Sequence, residues 1–362
     1  MKTTLISAIG RGQKDSVGRA YRKTEYRQGE LLLPPTAFFV DAWLNSPEAA
    51  KVDRVELIGT ATSTWSALVE DLSEGQDGLY CQLEERCGGQ DSAGVAEADL
   101  KPLAEILARR WQRSVRCHVL CQREVDDTNA SDLLDRLLRI FPLDEPERAV
   151  QLDTTHGFRT LPLLALSAVQ IADSLRPGFA LRTRLIYGEW LGKEGRAIAF
   201  DSVLKNLRLS RALARFFDTL DASDLALELK SLAPKLAAAL EALSICLQAN
   251  TLDRVSERLC QLRNSLPEGA GGVLGHIANE LRRFAARLEA DDLPRRLFAL
   301  AGLRAERGQF GLAILALAEA ATALASPRQQ DNFEAMKEAG RSYGESLPRL
   351  ERGEWDFLFQ MR

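Results

Sequence analysis

The sequence predicts an α/β chain in two parts: a parallel-sheet half followed by an all-α half. Three observations carry that reading. Through the first half, short apolar runs rich in β-branched residues alternate with stretches of helical period. After about Gly195 those runs stop, and long Leu- and Ala-rich helical periods take over. Between an apolar run and a helical one lies a dense polar cluster, Asp153-Thr154-Thr155-His156-Gly157. An open α/β sheet gathers ligand-binding residues in this setting, at the carboxyl ends of its strands.

Taken in order, residues 3–9 read as a strand, 36–44 as a helix, 52–58 as a strand and 63–72 as a helix. Residues 76–98 are polar and glycine-rich around Gly88 and Gly89, and part of this stretch reads as a surface loop. Helix 100–111, strand 114–121, helix 131–140, strand 149–153, helix 163–173 and strand 181–187 follow. Strands separated by helices argue for parallel βαβ units and a Rossmann-like sheet. Beyond it, residues 203–217, 225–248, 252–262, 275–288, 295–307 and 312–324 all have helical period. The boundary is expected near Lys193 to Arg196, giving domains 1–192 and 193–362.

Bulk properties narrow the function classes. A chain of 362 residues with 46% apolar content can bury two cores. A net charge of -4 gives no electrostatic footprint for duplex DNA or bulk RNA. No apolar window reaches the roughly 20 residues of a membrane span, and the first ten residues are too short an apolar run for a signal peptide. The expectation is a soluble, cytoplasmic protein without a membrane partner. None of the six cysteines forms a Cys-x2-Cys pair, so reduced structural thiols are expected, with no metal and no cofactor.

Three strand ends carry the chemistry. The first is Gly10-Arg11-Gly12, with Lys14 close behind. The second is Gly59-Thr60-Ala61-Thr62-Ser63-Thr64, ahead of a helix opening at Trp65. The third is the turn from Asp153 to Arg159. Glycines allow close backbone approach, helix N-termini offer N–H groups to anions, and arginines hold phosphate with two parallel hydrogen bonds. Together these read as a pocket for a phosphate-bearing ligand. Each piece also has a plainer reading. The glycines make a tight turn, Thr62 or Ser63 caps a helix, and Asp153 and His156 satisfy each other. Asp15 stands where a dinucleotide fingerprint would have its third glycine.

Asp153-Thr154-Thr155-His156-Gly157-Phe158-Arg159 resembles the signature of the DxTHG-motif CRISPR-associated proteins, a branch of the CARF (CRISPR-associated Rossmann fold) sensors. The Gly10-Arg11-Gly12 turn, Gly59-Thr60 followed by Trp65, and Ile186-Tyr187-Gly188 stand in the family's order, so the resemblance covers about residues 1–190. It implies a homodimer with one pocket across its twofold axis, holding a cyclic oligoadenylate of four or six nucleotides. The implied ligand-binding residues are Gly10, Arg11, Gly12, Thr60, Thr62, Asp153, Thr155, His156, Gly157 and Arg159. Asp153 would orient the turn, Thr155 and His156 would face the ring, and Arg159 would hold phosphate. The alternative is a ring nuclease, cleaving the ring without a metal through His156 and Arg159, with Arg11 on the phosphate.

Relatives of this kind carry a helical HEPN ribonuclease domain, whose motif is an Arg followed a few residues on by a His. Residues from about Phe200 onward are similar to such helical extensions, as is Arg307-Gly308-Gln309-Phe310-Gly311. The dyad is missing. Arg113 and His118 match its spacing but fall on an expected strand, and Arg263-Asn264 is followed by Glu268 with no His before His276. A third reading therefore places ribonuclease activity at an atypical helical site. Lys205, Arg208, Arg211 and Arg215 share one helix face. That face suits RNA, an acidic patch across a dimer, or solvent.

Overall fold

A computed structural model describes residues 1–10, 23–72, 75–88, 94–122, 128–156, 160–192, 194–248, 251, 254–325, 338, 341 and 345. The chain divides into two compact units, Met1–Leu204 and Lys205–Arg362.

In the first unit, β1 (Thr3–Ala8) is buried along its whole length, as a central parallel strand covered on both faces must be. The chain continues through β2 (Tyr26–Gln28), β3 (Leu31–Leu32), α1 (Phe39–Leu44), β4 (Val52–Thr60), α2 (Trp65–Leu72) and α3 (Asp77–Gly88). Next come α4 (Lys101–Trp111), β5 (Ser114–Cys121), α5 (Ala130–Ile140), β6 (Ala149–Asp153), α6 (Leu161–Leu175), β7 (Thr183–Trp190) and β8 (Gly195–Ala199). Among the described residues these strands form one eight-stranded sheet in the order β3-β2-β8-β7-β6-β1-β4-β5. The run β7-β6-β1-β4-β5 is parallel, and β8 and β3 are antiparallel to β7 and β2 respectively. From β1 the chain builds outward through β4 and β5 on one side. It then returns to the other side of β1 for β6 and β7. The order therefore reverses between β1 and β6, and that switch point is where an open α/β sheet leaves a crevice at its carboxyl edge.

The expected parallel strands and their helices are all present, and two expectations need correction. Within the stretch expected to be partly loop, residues 77–88 form α3: Leu83 is fully buried, and Leu79, Tyr80 and Cys87 pack against the same core at helical spacing. The helix expected over 225–248 is two, α8 (Ser223–Leu229) and α9 (Pro234–Gln248), because Pro234 starts a helix and cannot continue one. The boundary falls later than residue 193: β8 folds back on β7 and keeps 195–199 in the first unit, so the division comes after Leu204.

The second unit is helical. It continues α7 (Asp201–Thr219) into α8, α9, α10 (Val255–Ser265), α11 (Gly272–Arg287), α12 (Leu293–Glu306) and α13 (Phe310–Ala325). Phe216, Leu229, Leu240, Leu281 and Leu300 are fully buried in a core of its own. Gly308, at φ +71°, follows the end of α12, where the left-handed turn suits glycine. The described part of this sequence contains no helix long and apolar enough to cross a membrane. All six cysteines are free thiols, and burial pushes the Cys117 thiol up to about 12.

Candidate functional site

The site is built at the switch point. β6 ends at Asp153, which lies opposite Ser7 of β1 and is almost fully buried. One carboxylate oxygen accepts from Ser7 Oγ at 2.6 Å, and the other from the Thr155 N–H at 2.8 Å. The second bond closes a turn of the kind Asp forms with the backbone two residues on, and it bends the chain off the end of the strand. Thr154 N–H donates to the Ile186 carbonyl at 3.1 Å. Thr155 Oγ1 accepts from the Gly188 N–H at 2.7 Å. His156 Nε2 accepts from the Phe39 N–H at 3.1 Å, and its ring meets Phe38 edge-on at 5.7 Å. Phe39 opens α1, whose own N-cap side chain makes no bond, so His156 satisfies a helix donor that would otherwise lack a partner. Four consecutive residues thus tie β6 to β1, β7 and α1.

These bonds set the electrostatics. With Nε2 accepting, the neutral imidazole carries its proton on Nδ1. Burial lowers the His156 pKa, against the opposing pull of Asp153. Burial also raises the Asp153 pKa, against His156, Ser7 and Thr155, which favour the carboxylate. Both groups are driven toward their uncharged forms. Burial first, and then the nearby Asp153, push the Tyr26 phenol up to about 12.

The neighbouring strand ends meet the same edge. Thr64 Oγ1 donates to the Gly10 carbonyl at 2.7 Å, joining the exit of β1 to the turn before α2. Thr60 N–H donates to Ser63 Oγ at 2.9 Å, and the Thr60 hydroxyl lies 3.3 Å from that of Thr62 and 3.1 Å from that of Ser63. The Trp65 indole donates to the Thr60 carbonyl at 2.9 Å, and a side chain at Gly59 would come within 2.6 Å of that indole. These bonds do not make Thr62 or Ser63 a helix cap: both hydroxyls turn back to Thr60, and the Thr64 and Trp65 N–H groups donate to the Gly10 and Ser63 carbonyls.

Of the expected site residues, Gly10, Thr60, Thr62, Asp153, Thr155 and His156 gather at the carboxyl ends of the adjacent strands β4, β1 and β6. Arg11, Gly12, Gly157 and Arg159, with Lys14 and Phe158, lie outside the described residues. Sequence reasoning missed Ser7 and Phe39, and placed Thr64 in the strand-end cluster without naming it a site residue. Ser7 had a signal, a hydroxyl within an otherwise apolar run; Phe39 is reached through its backbone and had none.

Other candidates resolve differently. The Arg113 guanidinium turns to the carbonyls of Leu44 and Ala49, while His118 Nε2 sits 2.7 Å from buried Glu56, so the pair shares no site. The basic face of α7 is occupied within the chain: Arg208 pairs with Glu228 at 2.8 Å, Arg215 with Asp224 at 2.7 Å, and Lys205 donates to Ser231 at 3.3 Å. Among the described residues no three His, Cys, Asp or Glu side chains are grouped to hold a metal ion.

No protein-family model matches the chain. A curated relative, the CRISPR-associated protein MJ1674 of Methanocaldococcus jannaschii, is 24% identical over 179 residues, covering 45% of this chain. The match spans only 28% of that protein's length. Among solved structures, Enterococcus italicus Csm6 bound to cyclic hexa-2'-fluoro-hexa-dAMP aligns with 92% of this chain and 69% of its own, at 13% identity and a TM-score of 0.42.

Proposed function

We propose that this chain is a CRISPR-associated sensor of cyclic oligoadenylate, holding a tetra- or hexa-adenylate ring at the carboxyl edge of its sheet. The observation that carries the reading is the Asp153-Thr154-Thr155-His156 turn, seated where the strand order reverses and anchored to three neighbouring elements. Its resemblance to the DxTHG signature, and a relative named as CRISPR-associated, support the same reading. In this proposal Asp153 orients the turn, and Gly10, Thr60, Thr62 and Thr155 line the pocket. Arg11, Gly12, Gly157 and Arg159 complete it, with the arginines on phosphate. A second copy of the chain supplies the same residues across a twofold axis, which suits a ring of matching symmetry. The first unit then receives the signal, and the HEPN-like helical unit responds without the usual Arg and His dyad.

Ring cleavage is the alternative. It needs a group that takes the ribose 2′-OH proton in line with the phosphate. His156 Nε2 is already engaged by the Phe39 N–H. That favours His156 as a positioning residue, and the sensor over the nuclease. Calorimetry with cyclic tetra-adenylate and cyclic hexa-adenylate is expected to show binding of one ring, weakened at least tenfold by Arg159→Ala. Chromatography of the ring after long incubation is expected to show it intact. Absence of binding by either ring would sink the sensor, and linear products that vanish in His156→Gln would establish the nuclease.

A further inference from the structure

The rim of the site carries an exposed aromatic that the reading above leaves unused. β7 pairs with β6 only as far as Ile186, opposite Asp153. It then runs four residues further, paired with β8 out to Trp190 opposite Gly195, and turns back where Leu191 N–H donates to the Glu194 carbonyl at 2.9 Å. At about 3.3 Å per residue, this hairpin stands roughly 13 Å beyond the level of Asp153. Thr155 climbs its first half through the bond to Gly188 N–H, and Trp190 sits two residues above that bond.

The hairpin is braced from within. A side chain at Gly188 would come within 2.6 Å of the Phe39 ring, and one at Gly195 within 2.5 Å of the Tyr26 ring. Tyr26 and Phe39 themselves meet edge to face at 5.0 Å. Yet its tip is apolar and open to solvent: Trp190 is 51% exposed and Leu191 56%. The other described tryptophans, Trp43, Trp65 and Trp111, are buried to 8% exposure or less. A large aromatic half exposed beside a polar crevice, on a braced hairpin, offers a face to a flat apolar partner.

We infer that the β7–β8 hairpin is a wall of the strand-end site and that Trp190 stacks against a nucleobase of the ligand. The inference rests on the nucleotide reading of that site. Hydroxyls and backbone groups at the strand ends suit sugar and phosphate, whereas a base face offers no hydrogen bonds and is recognised by an aromatic plane.

The test uses the full chain with cyclic tetra-adenylate and cyclic hexa-adenylate as probes. Trp190→Ala is expected to weaken ring binding about tenfold or more, and Trp190→Phe, which keeps a ring, by less than about threefold. Ring binding is expected to quench tryptophan emission, and that quench is expected to disappear in Trp190→Phe. If the unaltered chain binds a ring and Trp190→Ala binds it equally well, the wall falls and the nucleotide reading stands. If the unaltered chain binds neither ring, both fall. A change of mass in sedimentation with unchanged ring affinity would assign Trp190 to a protein contact and overturn the inference.

Discussion

Protonating His156 at Nε2 would break the bond it accepts from the Phe39 N–H, and this determines how the chain meets acid. Its folded pKa lies below the ordinary imidazole value of about 6.5, so the unfolded chain takes up the proton first as pH falls. His156 therefore contributes stability above that value and loses it as pH drops below. Asp153 runs the other way: its raised value means the fold holds a proton that the unfolded chain has released, so its burial penalty grows as pH rises above about 3.9. Urea unfolding between pH 7.5 and 5.5 is expected to show a shallower loss of stability in His156→Gln than in the unaltered chain; equal slopes would refute this. Ser7→Ala removes the hydroxyl that donates to the buried Asp153 carboxylate and is expected to cost about 1–3 kcal/mol in denaturant unfolding. The polar turn was legible in the sequence because its residues are contiguous. Its partners were not: Ser7, Phe39 and Gly188 lie 146, 117 and 33 residues away, and no local pattern marks a bond of that span.

Elements were legible in proportion to the length of their apolar pattern. β1, β4, β5, β6 and β7 each show a run of five residues or more, and the parallel sheet follows from them. β2 and β3 have three and two residues, too few to show a period, and Gly195-Arg196 hides the start of β8. The antiparallel extension of the sheet was lost with them. Two glycine substitutions check the packing. Gly188→Ala forces a methyl into the Phe39 and Tyr26 rings and is expected to destabilise by about 1–3 kcal/mol. Gly302→Ala, within α12 and with nothing within 4 Å of the added carbon, is expected to stabilise by about 0.5–1 kcal/mol. Thermal unfolding of the two variants should shift in opposite directions.

At the scale of the whole molecule, the two units keep separate cores. Leu240→Ala empties a fully buried site among the helices and is expected to cost about 2–5 kcal/mol. Hydrogen exchange should show the lost protection in α8 to α10 while the amides of β1 and β4 keep theirs; loss in both would mean the cores unfold as one. Composition separates the cores, since the β-branched runs end where the Leu- and Ala-rich helices begin. The position of the division, which depends on β8 returning to the sheet, is not marked by any shift of composition. β7 has a mechanical consequence. On one edge it receives the Asp153 turn through Ile186 and Gly188. On the other, the Leu185 carbonyl accepts from Phe200 N–H at 2.9 Å, and the Arg184 guanidinium grips both carboxylate oxygens of Asp201, the first residue of α7, at 3.0 Å each. The turn and the chain's way out of the sheet are thus two ends of one stiff rod. A displacement of the turn at Gly188 would act on the same strand that holds Asp201 at the start of α7.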